Sequence, residues 1–244
     1  MSTDADIITQ LSRLGGYFAL PRPASTAQQA FVPYARLADP DVVARFVAAT
    51  RAATARAQGI AIDTIPVSVA ASSFQLGVAA RLLSPMIAAA LCHHAVPMLT
   101  SSALSFAADG HSPVFTVADV EIRPTGNVET AAGAVSELLA DLFDPLNREL
   151  RNSMRLSEKI CRGNLISAAN GAVTVLTMSL PDIERDGRAL IRALSSMQPL
   201  VDTAHHTRGR FTRRSCCLFY KVPGAGLCGD CVLTELPGSH DPVG

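Results

Sequence analysis

Apolar positions in the first hundred residues recur with the period of a helix rather than with that of a strand. The clearest helix is predicted over residues 40–58, where four large apolar side chains fall on one face: Val42, Val43, Phe46 and Val47. Asp39-Pro40 is typical of a helix start, and Gly59 of a helix end. The same signals predict further helices near residues 7–14, 68–83, 84–94, 128–142, 147–169 and 181–197.

Two of these helices are predicted from a proline that follows a capping residue. Ser84-Pro85 and Asp144-Pro145 each place a proline where it fits the first turn of a helix, after a side chain that favours the N-cap. We therefore expect a new helix to begin at each pair.

Short β-like runs interrupt the helical pattern after residue 100. The runs are 103–106 and 114–117, which flank the turn signal Asp109-Gly110, and 120–123, which can extend the second run. The predicted fold class is α+β: a helix-dominated domain with a small antiparallel sheet and a separate C-terminal module.

The pattern divides the chain into three parts. Residues 1–39 are rich in alanine, proline and small polar residues, and we expect an irregular N-terminal arm. Residues 40–207 form the helical α+β domain, and residues 208–244 form a loop-rich appendage with little periodic apolar content. Such a segment buries too little apolar surface to order itself, so we expect a metal centre to supply the missing stability.

Composition and charge narrow the classes of function. Hydrophobic residues make up 48% of the chain, and 21 basic residues balance 21 acidic ones. A protein without net charge has no overall field that attracts nucleic acid, so no nucleic-acid partner is expected. The N-terminal residues lack the basic and apolar regions of a secretory signal, and we expect a cytoplasmic protein.

One region, residues 65–108, is nearly free of charge, with Arg81 as its only formal charge. Ser84-Pro85, His93-His94 and Pro97 interrupt it, and the pieces between them are shorter than the ~20 apolar residues that a spanning helix needs. A pair of buried core helices is therefore expected, while peripheral contact with a membrane stays open.

Four cysteines within sixteen residues are the strongest chemical signal. They are arranged as an adjacent pair, ten residues, and then a Cys-x-x-Cys pair: Cys216, Cys217, Cys228 and Cys231. Disulfides are unusual in a reducing compartment, which favours a metal. Adjacent cysteines on extended backbone point to opposite faces, which suits two irons better than one tetrahedral zinc ion. Zinc, and disulfides or unbound thiols, remain the alternatives.

The surrounding residues carry a family resemblance. Arg-Arg-Ser-Cys-Cys-Leu-Phe-Tyr over 213–220, followed by Pro-Gly-Ala-Gly-Leu-Cys-Gly-Asp-Cys over 223–231, closely resembles the C-terminal signature of the FhuF-like ferric-siderophore reductases. The resemblance implies a [2Fe–2S] cluster held by all four cysteines, so residues 208–244 are expected to be a C-terminal iron–sulfur module that binds this cluster. Weaker similarity covers residues 72–97 and 156–170, where Cys161-Arg162-Gly163-Asn164 stands in place of a Leu-Trp-Gly-Asn motif.

The resemblance implies a function, and the residues leave alternatives. The implied activity is one-electron reduction of a ferric siderophore by the cluster, which releases Fe(II) in the cytoplasm. The sequence contains no recognisable nucleotide or flavin motif, so we expect electrons from a donor protein such as a ferredoxin or a reductase. The alternatives are a non-enzymatic electron-transfer or iron-sensing protein, and a zinc-stapled siderophore-binding module.

Several further residues have both a functional and an ordinary interpretation. Four arginines precede the cysteines and either compensate the charge of a cluster or form a solvated basic strand: Arg208, Arg210, Arg213 and Arg214. The aromatic pair Phe219-Tyr220 and the histidine pairs His93-His94 and His205-His206 are expected to pack or cap. Cys92 and Cys161 lie in apolar helical context and are expected to be buried, inert thiols.

Overall fold

The computed structural model describes residues 4–21, 30–207, 209–235 and 237. Their fold is α+β and dominated by helices, as the sequence predicts. The helices are α1 (Asp4–Ser12), α2 (Pro40–Gln58), α3 (Val67–His93), α4 (Val128–Met154), α5 (Glu158–Ser179) and α6 (Glu184–Leu194). The strands are β1 (Val32–Pro33), β2 (Ala95–Pro97), β3 (Leu104–Asp109), β4 (Ser112–Val117), β5 (Ile122–Pro124), β6 (Ala204–Thr207) and β7 (Arg210–Arg213).

Helix α3 is the centre of the fold. It packs against α5 along most of its length and also contacts α2 and α4. Because it has neighbours on several sides, large side chains around its whole circumference are buried, including Phe74, Val78, Leu82, Met86 and Ile87. A helix that is apolar all round is the usual sequence signature of such a position.

The predicted break at Ser84-Pro85 is wrong, because α3 continues through Pro85 without interruption. Proline removes one backbone hydrogen bond, yet Ser84 and Pro85 are both buried, and packing on all sides outweighs that loss. The expected pair of short helices is thus one helix of 27 residues, long and apolar enough to span a membrane. Its most apolar stretch is nevertheless 78% buried inside the protein, as is common for a central core helix.

The predicted start at Asp144-Pro145 is also wrong, although both residues are exposed. Helix α4 runs through Pro145, next to the buried Phe143 and Leu146, and its C-cap is Arg155, which has a left-handed backbone with φ 54°. Helix α5 begins after Ser157, whose hydroxyl accepts a hydrogen bond from the Ile160 amide. This Ser-x-x-Ile cap, not the proline pair, marks the boundary between the two helices.

The strands form three small antiparallel sheets instead of the single sheet predicted. β3 and β4 make the expected hairpin around Gly110, whose φ of 59° suits the turn, and β1 extends this sheet beside β3. Residues 122–124 do not extend β4. They form β5, which pairs with β2 in a second sheet, because Ala118–Glu121 turns the chain away from the hairpin. The third sheet is the hairpin β6–β7.

Both ends of the described chain pack on the main fold. In the N-terminal part, Leu11 and Phe18 belong to the same buried cluster as α3 and α5; residues 1–3 and 22–29 of the predicted arm lie outside the described part. In the C-terminal part, Phe211 of β7 joins that cluster, while Val222 is buried in a second cluster with Ile65 and Val69. The cysteine segment is thereby attached to α2 and α3.

Candidate metal centre

The cysteine segment is a loop that leaves β7 and folds back onto it. Cys216 and Cys217 follow β7, and a short turn at Phe219–Lys221 reverses the chain. Gly224, with φ 78°, allows the second reversal. The Arg213 amide then donates to the Asp230 carbonyl over 3.0 Å, which brings the Cys-x-x-Cys pair back beside the end of the strand.

The closest thiols come from opposite limbs of this loop. The sulfurs of Cys217 and Cys228 are 3.7 Å apart. Two thiolates on one tetrahedral metal with bonds of ~2.3 Å are separated by about 3.8 Å, so this pair already has the spacing of two ligands on a single metal. Cys217 and Cys231 are buried, at 8% and 7% exposure, while Cys216 and Cys228 are half-buried.

The four thiols offer one close pair and two further donors on the same loop. Within residues 4–21, 30–207, 209–235 and 237, no three His, Cys, Asp or Glu side chains are grouped closely enough to hold one metal ion. A [2Fe–2S] cluster takes its four cysteine ligands on two separate irons. Four cysteine donors with one close pair therefore fit a [2Fe–2S] cluster.

The backbone is kinked directly after the adjacent cysteines. Leu218 has a left-handed backbone with φ 71°, which an L-residue adopts at a cost of ~1–2 kcal/mol. The kink aims two successive amides at two successive sulfurs: Leu218 N–H donates to Cys216 over 3.3 Å, and Phe219 N–H donates to Cys217. Leu233 N–H donates to Cys231 over 3.4 Å. Such N–H···S bonds stabilise thiolates and tune cluster potentials.

The thiol pKa values follow these contacts. The hydrogen bond with Cys228 is the main reason that the pKa of Cys217 falls to about 6, with help from the Phe219 amide and Arg213 against the effect of burial. The same contact raises the pKa of Cys228, since it keeps the proton of the pair. Burial raises the pKa of Cys216, which the Leu218 amide partly offsets. One member of the close pair is thus readily ionised to the metal-binding form.

Arg213 is the charged group at the heart of the site. Its side chain is 1% exposed, and Nη2 donates to Asn164 Oδ1 over 2.7 Å. Its Nε has no hydrogen-bond partner, and no carboxylate in the described part of the chain lies within ion-pair distance. The positive charge lowers the pKa of both Cys216 and Cys217. Arg213 therefore fits the interpretation in which an arginine compensates the negative charge of a cluster.

The other arginines of the run differ from Arg213. Arg210 is exposed, and Arg214 forms an exposed ion pair with Asp202 at 3.1 Å. Arg210 and Arg214 therefore fit the other interpretation, in which the arginines belong to a solvated basic strand. Arg208 lies outside the described residues.

Helix α5 supplies a support that the sequence analysis did not identify. Gly163 lies so close to the loop that a side chain there would meet the Ser215 hydroxyl at 2.0 Å. Asn164, fully buried, links Arg213 to α3 by donating to the Ser72 carbonyl and hydroxyl over 3.1 Å. One turn later, the Ser167 hydroxyl donates to Asp230 over 2.5 Å. The sequence analysis noted Gly163 and Asn164 as part of a motif. Their role in supporting the cysteine loop follows only from their contacts in the structure.

The remaining candidates have ordinary surroundings. Cys161 is fully buried and burial raises its pKa to about 11, while Cys92 is half-buried with a pKa that burial also raises. His94 is the left-handed C-cap of α3, and His206 contacts the Phe211 ring and the Ser195 hydroxyl. Phe219 packs against the small cluster around Val222. None of these side chains joins the four thiols.

Comparison with known proteins agrees with this site. Residues 213–233 match the family model described as the FhuF 2Fe-2S C-terminal domain. The resemblance noted in the sequence is thus confirmed for the segment that contains all four cysteines, and the cofactor is a [2Fe–2S] cluster. A search of curated proteins found no match to the chain.

Proposed function

We propose that this protein is a ferric-siderophore reductase, an enzyme that reduces the Fe(III) of a siderophore chelate to Fe(II). The observation that carries the proposal is the FhuF-type iron–sulfur domain at residues 213–233. Siderophores hold Fe(III) through hard oxygen donors, and these donors suit the softer Fe(II) much less well. One electron therefore turns a very stable chelate into a labile one.

When bound, a [2Fe–2S] cluster supplies one-electron redox chemistry, which matches the single electron that this reaction needs. We propose Cys216, Cys217, Cys228 and Cys231 as its ligands. The amides of Leu218, Phe219 and Leu233 stabilise the thiolate forms, and Arg213 provides a fixed positive charge beside them. The roles of these residues are to hold the ligands and set their electrostatic environment.

The electron source in this proposal is a donor protein such as a ferredoxin or a reductase, and the reaction takes place in the cytoplasm. Two exposed arginines, Arg210 at the start of β7 and Arg214 just after its end, precede Cys216 and suit an acidic partner. Association steered by these charges should weaken as salt is added.

The proposal is tested by anaerobic stopped-flow mixing. Chemically reduced protein is mixed with ferric hydroxamate, catecholate and mixed-type siderophores in the presence of an Fe(II) chelator. We expect the visible absorbance to return to that of the oxidised protein while one equivalent of Fe(II) is trapped per protein. Lower pH should favour the transfer, since protons compete for the chelating oxygens.

The controls separate the ligands from other cysteines. Cys→Ser at position 216, 217, 228 or 231 should lower bound iron and sulfide and abolish the reaction, whereas Cys92→Ser should leave both unchanged. If no siderophore reoxidises the protein faster than buffer does, the reductase proposal fails. A protein that then exchanges electrons with redox proteins alone would be an electron-transfer protein instead.

A further inference from the structure

The chain is neutral overall, but its charges are segregated along the sequence. Residues 148–214 contain 12 of the 21 basic residues and only six of the 21 acidic ones. This segment therefore has six excess positive charges, and the rest of the chain has six excess negative ones. Because α5, α6 and the β6–β7 hairpin pack together, the positive excess is concentrated beside the cysteine loop.

A polar pocket of about 440 Å³ lies in this positive part of the molecule. Its walls come from the first two turns of α5, from the chain just before β6 and from the chain just after β7. The polar residues that line it are Lys159, Arg162, Asp202, Thr203, Arg214 and Ser215. Three cations and one carboxylate leave the lining with two excess positive charges, which attract an anionic group.

The cations of the pocket differ in whether they already have a partner. Arg162 forms an ion pair with Glu158, and Arg214 forms one with Asp202. Lys159 is exposed, and no carboxylate in the described part of the chain lies within ion-pair distance of it. Lys159 is therefore the cation of the pocket that is left for an acidic group from another molecule.

The pocket adjoins the metal centre at its more exposed side. Ser215 lines the pocket, and its hydroxyl has no hydrogen-bond partner among the described residues. Cys216 follows directly and is half-buried, whereas Cys217 and Cys231 are buried. A molecule seated at the pocket would thus contact the cysteine loop beside a proposed ligand that solvent reaches.

The mixed charges around the pocket favour an acidic protein over a nucleic acid. Asp202 lines the pocket, and Glu158 lies beside it on α5. A nucleic-acid backbone presents a continuous series of negative phosphates, which these carboxylates repel. A protein surface can instead place a carboxylate opposite Lys159 and neutral or basic groups opposite the acidic residues.

From these observations we propose that the polar pocket is the docking site of the electron-donor protein, and that it receives a carboxylate of an acidic donor through Lys159. This inference rests on the proposed reductase function, which requires a source of electrons. In the step that docking serves, the reduced donor loses one electron and the docked protein gains it. No covalent bond forms or breaks.

The charge of the pocket can be changed in either direction without disturbing the fold. Lys159→Glu reverses one charge in the first turn of α5, where an acidic side chain favours the helix. Asp202→Asn removes the carboxylate of the lining, and asparagine readily adopts the left-handed backbone of this residue, with φ 61°. Arg45→Glu on α2 is the matched control, because Arg45 is exposed but does not line the pocket.

Binding is measured by calorimetry between the intact holoprotein and an acidic plant-type [2Fe–2S] ferredoxin, both oxidised. The wild type should bind at low ionic strength and more weakly as salt is added. Lys159→Glu should weaken binding at least about tenfold, Asp202→Asn should tighten it by about two- to fivefold, and Arg45→Glu should stay within about twofold of the wild type. Rates of reduction by the reduced ferredoxin, followed by stopped flow, should have the same order.

Three results would overturn the proposal. The first is equal binding by the wild type and Lys159→Glu, and the second is an equally large loss in Arg45→Glu, which would attribute the effect to net charge. The third is tighter binding of duplex DNA than of ferredoxin at the same pocket. Visible absorbance shows that each variant contains its cluster.

The docking test and the reductase test fail independently. Calorimetry with ferredoxin uses no siderophore, and the reaction with ferric siderophores uses chemically reduced protein and no donor. Loss of ferredoxin binding in Lys159→Glu therefore supports the docking site even if no ferric siderophore is reduced. Unchanged binding in that variant overturns the site even if reduction proceeds.

Discussion

At the scale of single residues, Arg213 is the most informative side chain in the molecule. A guanidinium that is 1% exposed, lacks a carboxylate partner and leaves Nε unbonded is costly to bury. An oxidised [2Fe–2S] cluster with four thiolates has a charge of about −2, which would compensate for that burial. The arginine is therefore best understood together with the cofactor.

We expect Arg213→Gln to lower the reduction potential of the cluster. Loss of a nearby positive charge makes the added electron less favourable, by ~60–120 mV for a one-electron couple, or about ten- to a hundredfold in the equilibrium. Spectroelectrochemical titration measures this shift. Arg214→Gln is the control and should change the potential little, because Arg214 is exposed and paired with Asp202. Equal shifts in both variants would contradict the distinction between the two arginines.

At the scale of the elements, the contact between α5 and the cysteine loop is unusually close. A Cβ at position 163 would lie 2.0 Å from the Ser215 hydroxyl and 3.3 Å from Arg213 Nη2. Gly171, two turns along the same helix, has open space instead. The docked loop thus requires a glycine at position 163 but not at position 171.

Gly163→Ala should loosen the cysteine loop by about 1–3 kcal/mol, because the methyl group forces Ser215 away from the helix. The loosened loop should be seen as faster loss of iron to a chelator and as a lower midpoint of thermal unfolding. Gly171→Ala should be neutral or slightly stabilising. The double variant Gly163→Ala with Ser215→Ala removes the clashing hydroxyl and should recover most of the loss; failure to recover would mean that the clash is not the cause.

The same scale shows what a single sequence can predict about helices. Spacing and caps located α2 to the residue, since Pro40 and Gly59 stand at its ends. Ser84-Pro85 and Asp144-Pro145 have the same local signature but lie inside α3 and α4. Ser84 and Pro85 are buried against helices distant in sequence, whereas Asp144 and Pro145 are exposed and only their neighbours Phe143 and Leu146 are buried. No local pattern carries the information about which distant helices pack on these segments.

At the scale of the whole molecule, the cysteine loop is attached to the main fold at further points besides α5. Val222 packs with Ile65 and Val69, and the Arg214 amide donates to the Thr203 carbonyl over 2.8 Å. A cluster held by the four proposed ligands would add a cross-link between the two limbs of the loop. Its removal would also leave the charge of Arg213 without compensation.

Removing the iron should therefore increase amide exchange in residues 214–233 much more than in residues 40–197. Hydrogen exchange of the holoprotein and the chelator-treated protein, read by mass spectrometry, makes the comparison. Peptides from α3 and α5 serve as the internal reference. Equal protection of the loop in the two forms would contradict a dependence on the metal.

The metal centre could be predicted from the sequence only in part. The cysteine spacing predicts the metal centre because the four proposed ligands lie within sixteen residues. The supporting contacts of Ser72 and Asn164 could not be predicted, since they join segments about ninety residues apart in the sequence through a shared buried network.

The buried chain of contacts from Ser72 through Asn164 to Arg213 also bears on how this centre could be transplanted. A peptide of residues 200–235 would contain every proposed ligand but would lose Asn164, Ser167, Ile65 and Val69. The smallest portable unit therefore comprises three distant stretches of sequence, around α3, α5 and the loop. Grafting the cysteine motif alone onto another scaffold should give a site that captures metal poorly and releases it quickly.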